Sequence, residues 1–116
     1  MPTFEAGDTV KVPFPYTDRA TRQRRPALVV SDGGVGDNDG LLWVVMITSA
    51  ENRPWPGDVA LAQSQTSAGL SAPSVVRTSK IATVAARDVE KLGRVAPAQL
   101  SEARKNVRRH LGLAEP

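Results

Sequence analysis

The chain has 116 residues, 41% of them hydrophobic and 4% aromatic, with a formal net charge of +3. That is room for one domain, residues 1–116, with a core built mainly from Val, Ala, Leu and Ile. It has no cysteine and one histidine, His110, which excludes disulfides, cysteine-based zinc sites, cysteine nucleophiles, histidine-cluster metal centres and two-histidine acid–base pairs.

Met1-Pro2-Thr3-Phe4-Glu5 lacks the basic-then-apolar pattern of a signal peptide. No apolar run has the length to cross a bilayer, so the expected location is the cytoplasm. The isoelectric point of about 9.8 and the clustering of arginines fit a nucleic-acid partner. A domain this small buries a modest share of its surface, which favours a homodimer.

Ala6-Gly7-Asp8 is a turn signal, and Thr9-Val10-Lys11-Val12 alternates polar and apolar as a half-buried strand does. Pro13-Phe14-Pro15 ends that strand, because proline cannot continue a sheet ladder. Tyr16 to Arg25 is a polar connection. Pro26 to Ser31 is a second, β-branched strand with Pro26 at its first position. The glycines of Asp32–Gly40 lack the Gly-Lys-Ser/Thr ending of a phosphate-cradling loop and read as a surface loop.

Leu41–Ile47 is the most apolar run and reads as a central strand buried on both faces, with Trp43 in the core. Ala50–Gly57 is loop, Asp58–Leu61 a short strand, and Gln63–Pro73 loop. Ser74–Arg77 leads into Lys80–Val84, as one strand or as two joined by a kink. Ala86–Leu92 reads as a single helical turn and Gly93–Val95 as a last short strand. Ala96-Pro97 opens a helix. Leu100, Ala103, Val107 and Leu111 give it one apolar face, and Gly112 stops it.

Arg104, Lys105, Arg108 and Arg109 fall on the other face. They complement the helix dipole, which accounts for them without any RNA contact. His110 has no evident partner and reads as a surface or edge histidine. Short strands followed by one terminal helix predict a mainly β fold: a small barrel or a curled antiparallel sheet with a helix packed on it.

The stretch Arg22-Gln23-Arg24-Arg25-Pro26-Ala27-Leu28-Val29-Val30-Ser31 joins a basic loop to a rigid strand. It places Arg25 at a strand mouth, where sites for anionic ligands are commonly built; alone, it is also what a solvated charge run looks like. Thr48 after the third strand and Arg77 late in the Ser74–Arg77 strand stand at comparable strand ends. Two arginines and a hydroxyl facing one point suit a phosphate, since the guanidinium is planar, bidentate and always charged.

Gly7-Asp8, Val12-Pro13-Phe14-Pro15-Tyr16-Thr17-Asp18 and Arg25-Pro26-Ala27-Leu28-Val29-Val30-Ser31 together resemble the N-terminal signature of the MazF/PemK toxins. Ile47-Thr48-Ser49, Gly69-Leu70, Pro73-Ser74-Val75-Val76-Arg77 and Lys80-Ile81 continue the resemblance in the same order, over roughly residues 5 to 95. It implies an SH3-like barrel, usually a homodimer, of the MazF, PemK and CcdB kind. It also implies the toxin of a type II toxin–antitoxin module: a metal-independent endoribonuclease, without cofactor, that cuts single-stranded RNA at short sequences. The 2′-OH of the RNA is the nucleophile, and the products carry a 2′,3′-cyclic phosphate and a 5′-OH.

By motif position Arg25, Thr48 and Arg77 correspond to the family's catalytic residues. In some members Arg77's counterpart is half of an acid–base pair whose aspartate lies two positions on. Here that position is Ser79, whose hydroxyl is a poor base. Arg25 and Arg77 then fit better as electrostatic stabilisers of the transition state. Asp18 reads as a base or, equally, as a turn residue.

Tyr16 for stacking, with Arg19, Arg22 and Arg24 for phosphates, forms a single-strand RNA surface. Trp55 is a second stacking candidate, or else a cover for core or dimer surface. The expected partner is an antitoxin with an acidic, partly disordered tail over the basic site. The competing reading is a non-catalytic barrel that binds nucleic acid or poisons a protein target such as gyrase, because a fold alone does not separate these.

Overall fold

The computed structural model describes residues 3–13 and 24–113. Strands β1 (Asp8–Pro13), β2 (Arg24–Val29), β3 (Leu41–Ser49), β4 (Asp58–Ala60), β5 (Ser74–Ala85) and β6 (Glu90–Arg94) precede one helix, α1 (Pro97–His110). The strands form a six-stranded sheet in the order β4-β5-β3-β2-β1-β6, and every neighbouring pair is antiparallel. The sheet curls without closing, with β4 and β6 at its edges. The segment after β4 reaches across to β6 and β1. There the Ser67 carbonyl accepts the Arg94 N–H at 2.9 Å, and the Ala68 carbonyl accepts the Thr9 hydroxyl at 2.6 Å.

The period-2 alternation of the strands sends apolar residues to both faces. Phe4, Val10, Val12, Ala27, Val29, Leu42, Val44, Met46, Ala82 and Val84 form one buried cluster. Leu28, Val45, Ile47, Val59, Leu61, Val76 and Val95 form the other, closed by Ala103 with Leu100 and Val107 of α1. β3 therefore has apolar partners above and below. Each fully buried Val, Leu or Ile contributes about 1.5–3 kcal/mol, so aliphatic side chains supply most of what holds the two clusters together.

The structure departs from the sequence reading at several points. β2 begins at Arg24, and Pro26 lies inside it, opposite Lys11. Pairing of β2 with β3 starts only at Ala27, so at Pro26 the strand is an edge, which is where proline is tolerated. β5 is one strand whose register with β3 jumps: Val45 faces Ile81 while Met46 faces Arg77. Thr78, Ser79 and Lys80 have no partner on β3, as in a large β-bulge. Ala86–Asp88 is a single 3-10 turn, and β6 starts at Glu90, earlier than expected.

Trp43 is not in the core; it is 49% exposed. It alternates onto the face that α1 covers, but the helix leaves it uncovered, beside Ile81 and Leu111. Leu111 is the helix C-cap and 66% exposed, not part of the packed stripe. Arg104 lies four residues after Leu100, at the edge of that stripe, and its Nε donates to the Val30 carbonyl at 3.0 Å. His110 has a partner, the Thr78 hydroxyl at 3.0 Å.

Candidate active site

The end of β3, the start of β2 and the start of β5 meet in a cleft of about 400 Å³. Arg24, Arg25 and Pro26 supply one wall, Thr48, Ser49 and Asn52 another, and Ser71 and Ser74 lie across from them. The topology explains the meeting. Thr48 faces Val75 and Ser49 faces Ser74 across the β3–β5 ladder, while β2 runs along the other side of β3 with Arg25 just before the first paired residue, Ala27. Arg25 is half-buried and Arg24 exposed. No carboxylate among the described residues forms an ion pair with either. The described lining holds cations, hydroxyls and an amide, without a carboxylate or imidazole. A site with this lining attracts and orients an anion.

Arg77 is in the opposite situation. It is 7% exposed, and it is held by Asp58 through Nε at 3.3 Å and through Nη2 at 3.1 Å. Nη2 also donates to the Arg53 carbonyl at 2.8 Å. The guanidinium carbon sits 4.2 Å from the centre of the Trp55 ring, and the Lys80 ammonium 5.3 Å from it, distances at which a cation is attracted to the ring face. The structure thus brings Arg25 and Thr48 together in one cleft but does not include Arg77 in its lining. Ser79 is exposed on the bulge and lines a separate depression with Arg53, Trp55 and His110. Tyr16, Asp18, Arg19 and Arg22 lie outside the described residues.

Two residues that matter here went unnoticed in the sequence. Asn52 donates from its side-chain amide to the Thr48 hydroxyl at 2.7 Å, and nothing in its loop sequence signals this. Asp58 supplies the carboxylate facing Arg77, and for Asp58 there was a signal. Glu5-Ala6-Gly7-Asp8 and Trp55-Pro56-Gly57-Asp58 both place Gly-Asp at the start of a strand.

In each copy the glycine has positive φ, +98° at Gly7 and +90° at Gly57. The aspartate N–H then bonds the carbonyl three residues back, at 3.0 Å and 3.1 Å. The aspartate carboxylate returns to accept that same residue's N–H, at 2.9 Å in both turns. Each carboxylate also takes an arginine: Arg94 on Asp8 at 2.6 Å and Arg77 on Asp58 at 3.1 Å.

The tail of α1 is tied to the second turn. The Gly57 carbonyl accepts from Asn106 at 3.0 Å and from the Thr78 hydroxyl at 2.7 Å. Having given its proton to Gly57, Thr78 can only accept from His110, so Nε2 of His110 carries the hydrogen.

A family model described as PemK-like, MazF-like toxin of type II toxin-antitoxin system matches residues 5–111. No curated protein matches by sequence. Among solved structures, a chain of a MazE–MazF complex from Deinococcus radiodurans is 27% identical, with a TM-score of 0.75 over 98% of this chain and 100% of that one. MazF alone from the same organism is 24% identical, with a TM-score of 0.74 over 97% of this chain and 100% of that one. An endoribonuclease in complex with its cognate antitoxin, from a mycobacterial species, is 22% identical, with a TM-score of 0.69 and complete coverage of both chains, 100% each. The last two likenesses concern the fold.

Proposed function

This chain belongs to the PemK-like, MazF-like toxins of type II toxin–antitoxin systems, and from that premise we propose that it is a cytoplasmic, metal-independent endoribonuclease acting on single-stranded RNA. The observation that carries the proposal is the cleft lined by both Thr48 and Arg25, the latter free of carboxylate ion pairs among the described residues.

A scissile phosphate fits there between the guanidinium and the hydroxyl. The RNA 2′-oxygen, losing its proton to a base, attacks the adjacent phosphorus. The bond from phosphorus to the 5′-oxygen breaks, and that oxygen takes a proton. The products are a 2′,3′-cyclic phosphate and a 5′-OH, with no water consumed. Arg25 and the Thr48 O–H stabilise the charge that gathers on the non-bridging oxygens as phosphorus becomes pentavalent.

Ser79 faces another depression, so Asp18 is our candidate for the base. Arg77, held through Nε and Nη2 by Asp58 and the Arg53 carbonyl and outside the cleft lining, serves as a positioning residue. Tyr16, Arg19, Arg22 and Arg24 are proposed to hold the flanking nucleotides, with Trp55 stacking a base further along.

Two partners follow from the surface. The groove of Val30, Trp43, Ile81, Val107 and Leu111 is proposed to receive a second copy of the chain. The cationic cleft is proposed to receive the acidic tail of an antitoxin, which excludes RNA by occupying the same charges.

The test is cleavage of a mixed single-stranded RNA in buffer containing EDTA, with the ends of the fragments identified. Fragments with cyclic-phosphate and 5′-OH ends support the proposal. Intact RNA from folded, antitoxin-free protein overturns it in favour of a non-catalytic module.

A further inference from the structure

We infer that Asn52 is a positioning residue that sets the direction of the Thr48 hydroxyl, and that the loop from Ala50 to Gly57 is braced to keep it there. This rests on the Arg25–Thr48 reading of the cleft. A hydroxyl has one proton and two lone pairs and rotates freely about its C–O bond. The Asn52 side-chain amide donates to Thr48 Oγ1 at 2.7 Å, so that oxygen acts as an acceptor toward the loop. Its own proton is then directed elsewhere. Thr48 and Asn52 both line the cleft, and a phosphate oxygen bound beside Arg25 is the acceptor that the proton would meet. Without Asn52 the hydroxyl could turn its lone pairs toward the phosphate, and a stabilising contact would become a repulsive one.

The loop is built to hold that amide in place. At its start, the Ala50 N–H bonds the Pro73 carbonyl at 3.0 Å, and the Asn52 N–H closes a turn on the Ser49 carbonyl at 3.1 Å. The Glu51 N–H adds a bond to the Ser49 hydroxyl at 3.2 Å. Immediately after Asn52, the Arg53 carbonyl is gripped by Arg77 at 2.8 Å, and Arg77 is itself locked on Asp58. At its end, Asp58 accepts the Trp55 N–H at 2.9 Å. The exposed Asn52 thus sits between two fixed anchors. Arg77 and Asp58 influence the cleft through this loop and not by contact with substrate.

The experiment is single-turnover and steady-state cleavage of a defined RNA by the wild-type protein, Asn52→Ala, Asn52→Asp, Thr48→Val and the double variant Thr48→Val/Asn52→Ala. Thermal melts check folding of each. Asn52→Ala should lower kcat by about 10- to 100-fold with KM little changed, the signature of lost orientation and not of lost binding. Asn52→Asp should do no better, because its carboxylate draws the Thr48 proton away from the cleft.

The deciding comparison is the double variant. If Asn52 acts through Thr48, removing it from the Thr48→Val protein has no further effect. An undiminished kcat in Asn52→Ala, or an equal fold-loss with and without Thr48, overturns the inference while leaving the ribonuclease reading intact. A folded wild-type protein that cuts no RNA overturns both.

Discussion

Arg25, at the start of β2, and Arg77, inside β5 where its register jumps, are the same residue type in different surroundings. Arg25 is half-buried in the cleft that Thr48 also lines, with no carboxylate paired to it among the described residues, so its charge is available to a ligand. Arg77 commits Nε and Nη2 to Asp58 and the Arg53 carbonyl. Arg25→Ala is expected to reduce RNA cleavage by about 100-fold or more, measured as single-turnover rate in EDTA buffer. Arg25→Lys is expected to recover only part of that, because a point charge does not reproduce the planar fork. Ser79, two positions after Arg77, lines a depression separate from the cleft. Ser79→Ala is therefore expected to cut RNA at close to the wild-type rate, and a large loss would place Ser79 in the chemistry after all. The motif pattern made Arg25 and Thr48 legible from the sequence. Asn52 was not, because its role depends on a loop folding back over a neighbour four residues earlier, which leaves no spacing rule behind it.

At the scale of the element, the two Gly-Asp turns do the same job at the starts of β1 and β4. Each glycine takes a backbone conformation that side chains resist, and each aspartate converts a turn into an anchor for a distant arginine. The Asp8 carboxylate is fully buried at 0% exposure, and Asp58 nearly so at 12%. Removing one member of such a pair leaves the other charge uncompensated. Asp58→Ala should therefore cost about 3–5 kcal/mol of stability, read as a shift in the urea-unfolding midpoint. Its cleavage rate should fall as well, because the Asn52 loop loses a brace. Gly57→Ala should also destabilise. Its φ of +90° is strained for alanine, and the new methyl would lie 2.9 Å from the Thr78 hydroxyl and 3.1 Å from His110 Nε2. The same denaturation experiment measures it, and an unchanged midpoint would show that the turn relaxes freely.

For the whole molecule, the open face matters most. α1 buries Leu100, Ala103 and Val107 against the sheet and leaves beside it a groove with Trp43, Ile81 and its own C-cap Leu111, which are 49%, 41% and 66% exposed. Large apolar side chains gathered in one groove mark an interaction surface. If that surface joins two copies, Trp43→Glu should yield a monomer by sedimentation velocity at concentrations where the wild-type protein is a dimer. An unchanged sedimentation coefficient would assign the groove to another partner. RNA affinity should also fall steeply with added salt, as expected when phosphates are neutralised by Arg and Lys. A flat salt dependence would remove the cationic cleft from the binding surface.

Periodicity and punctuation in the sequence determined the strands and the terminal helix, and narrowed the architecture to a small barrel or a curled antiparallel sheet, because these depend on local alternation and on where proline and glycine interrupt it. That the sheet stays open was decided by the fold. The family signature singled out Arg25, Thr48 and Arg77 alike, because motif order along the chain is fixed, but it did not say which of them line one cleft. Tertiary structure alone decided the rest. It left Trp43 exposed, because α1 packs on the sheet through Leu100, Ala103 and Val107 and leaves a groove along its side. It paired Arg77 with Asp58 across β5 and β4, because strand register, not sequence distance, chooses a buried cation's partner. It folded Asn52 onto Thr48, because a loop's path depends on what grips it at both ends.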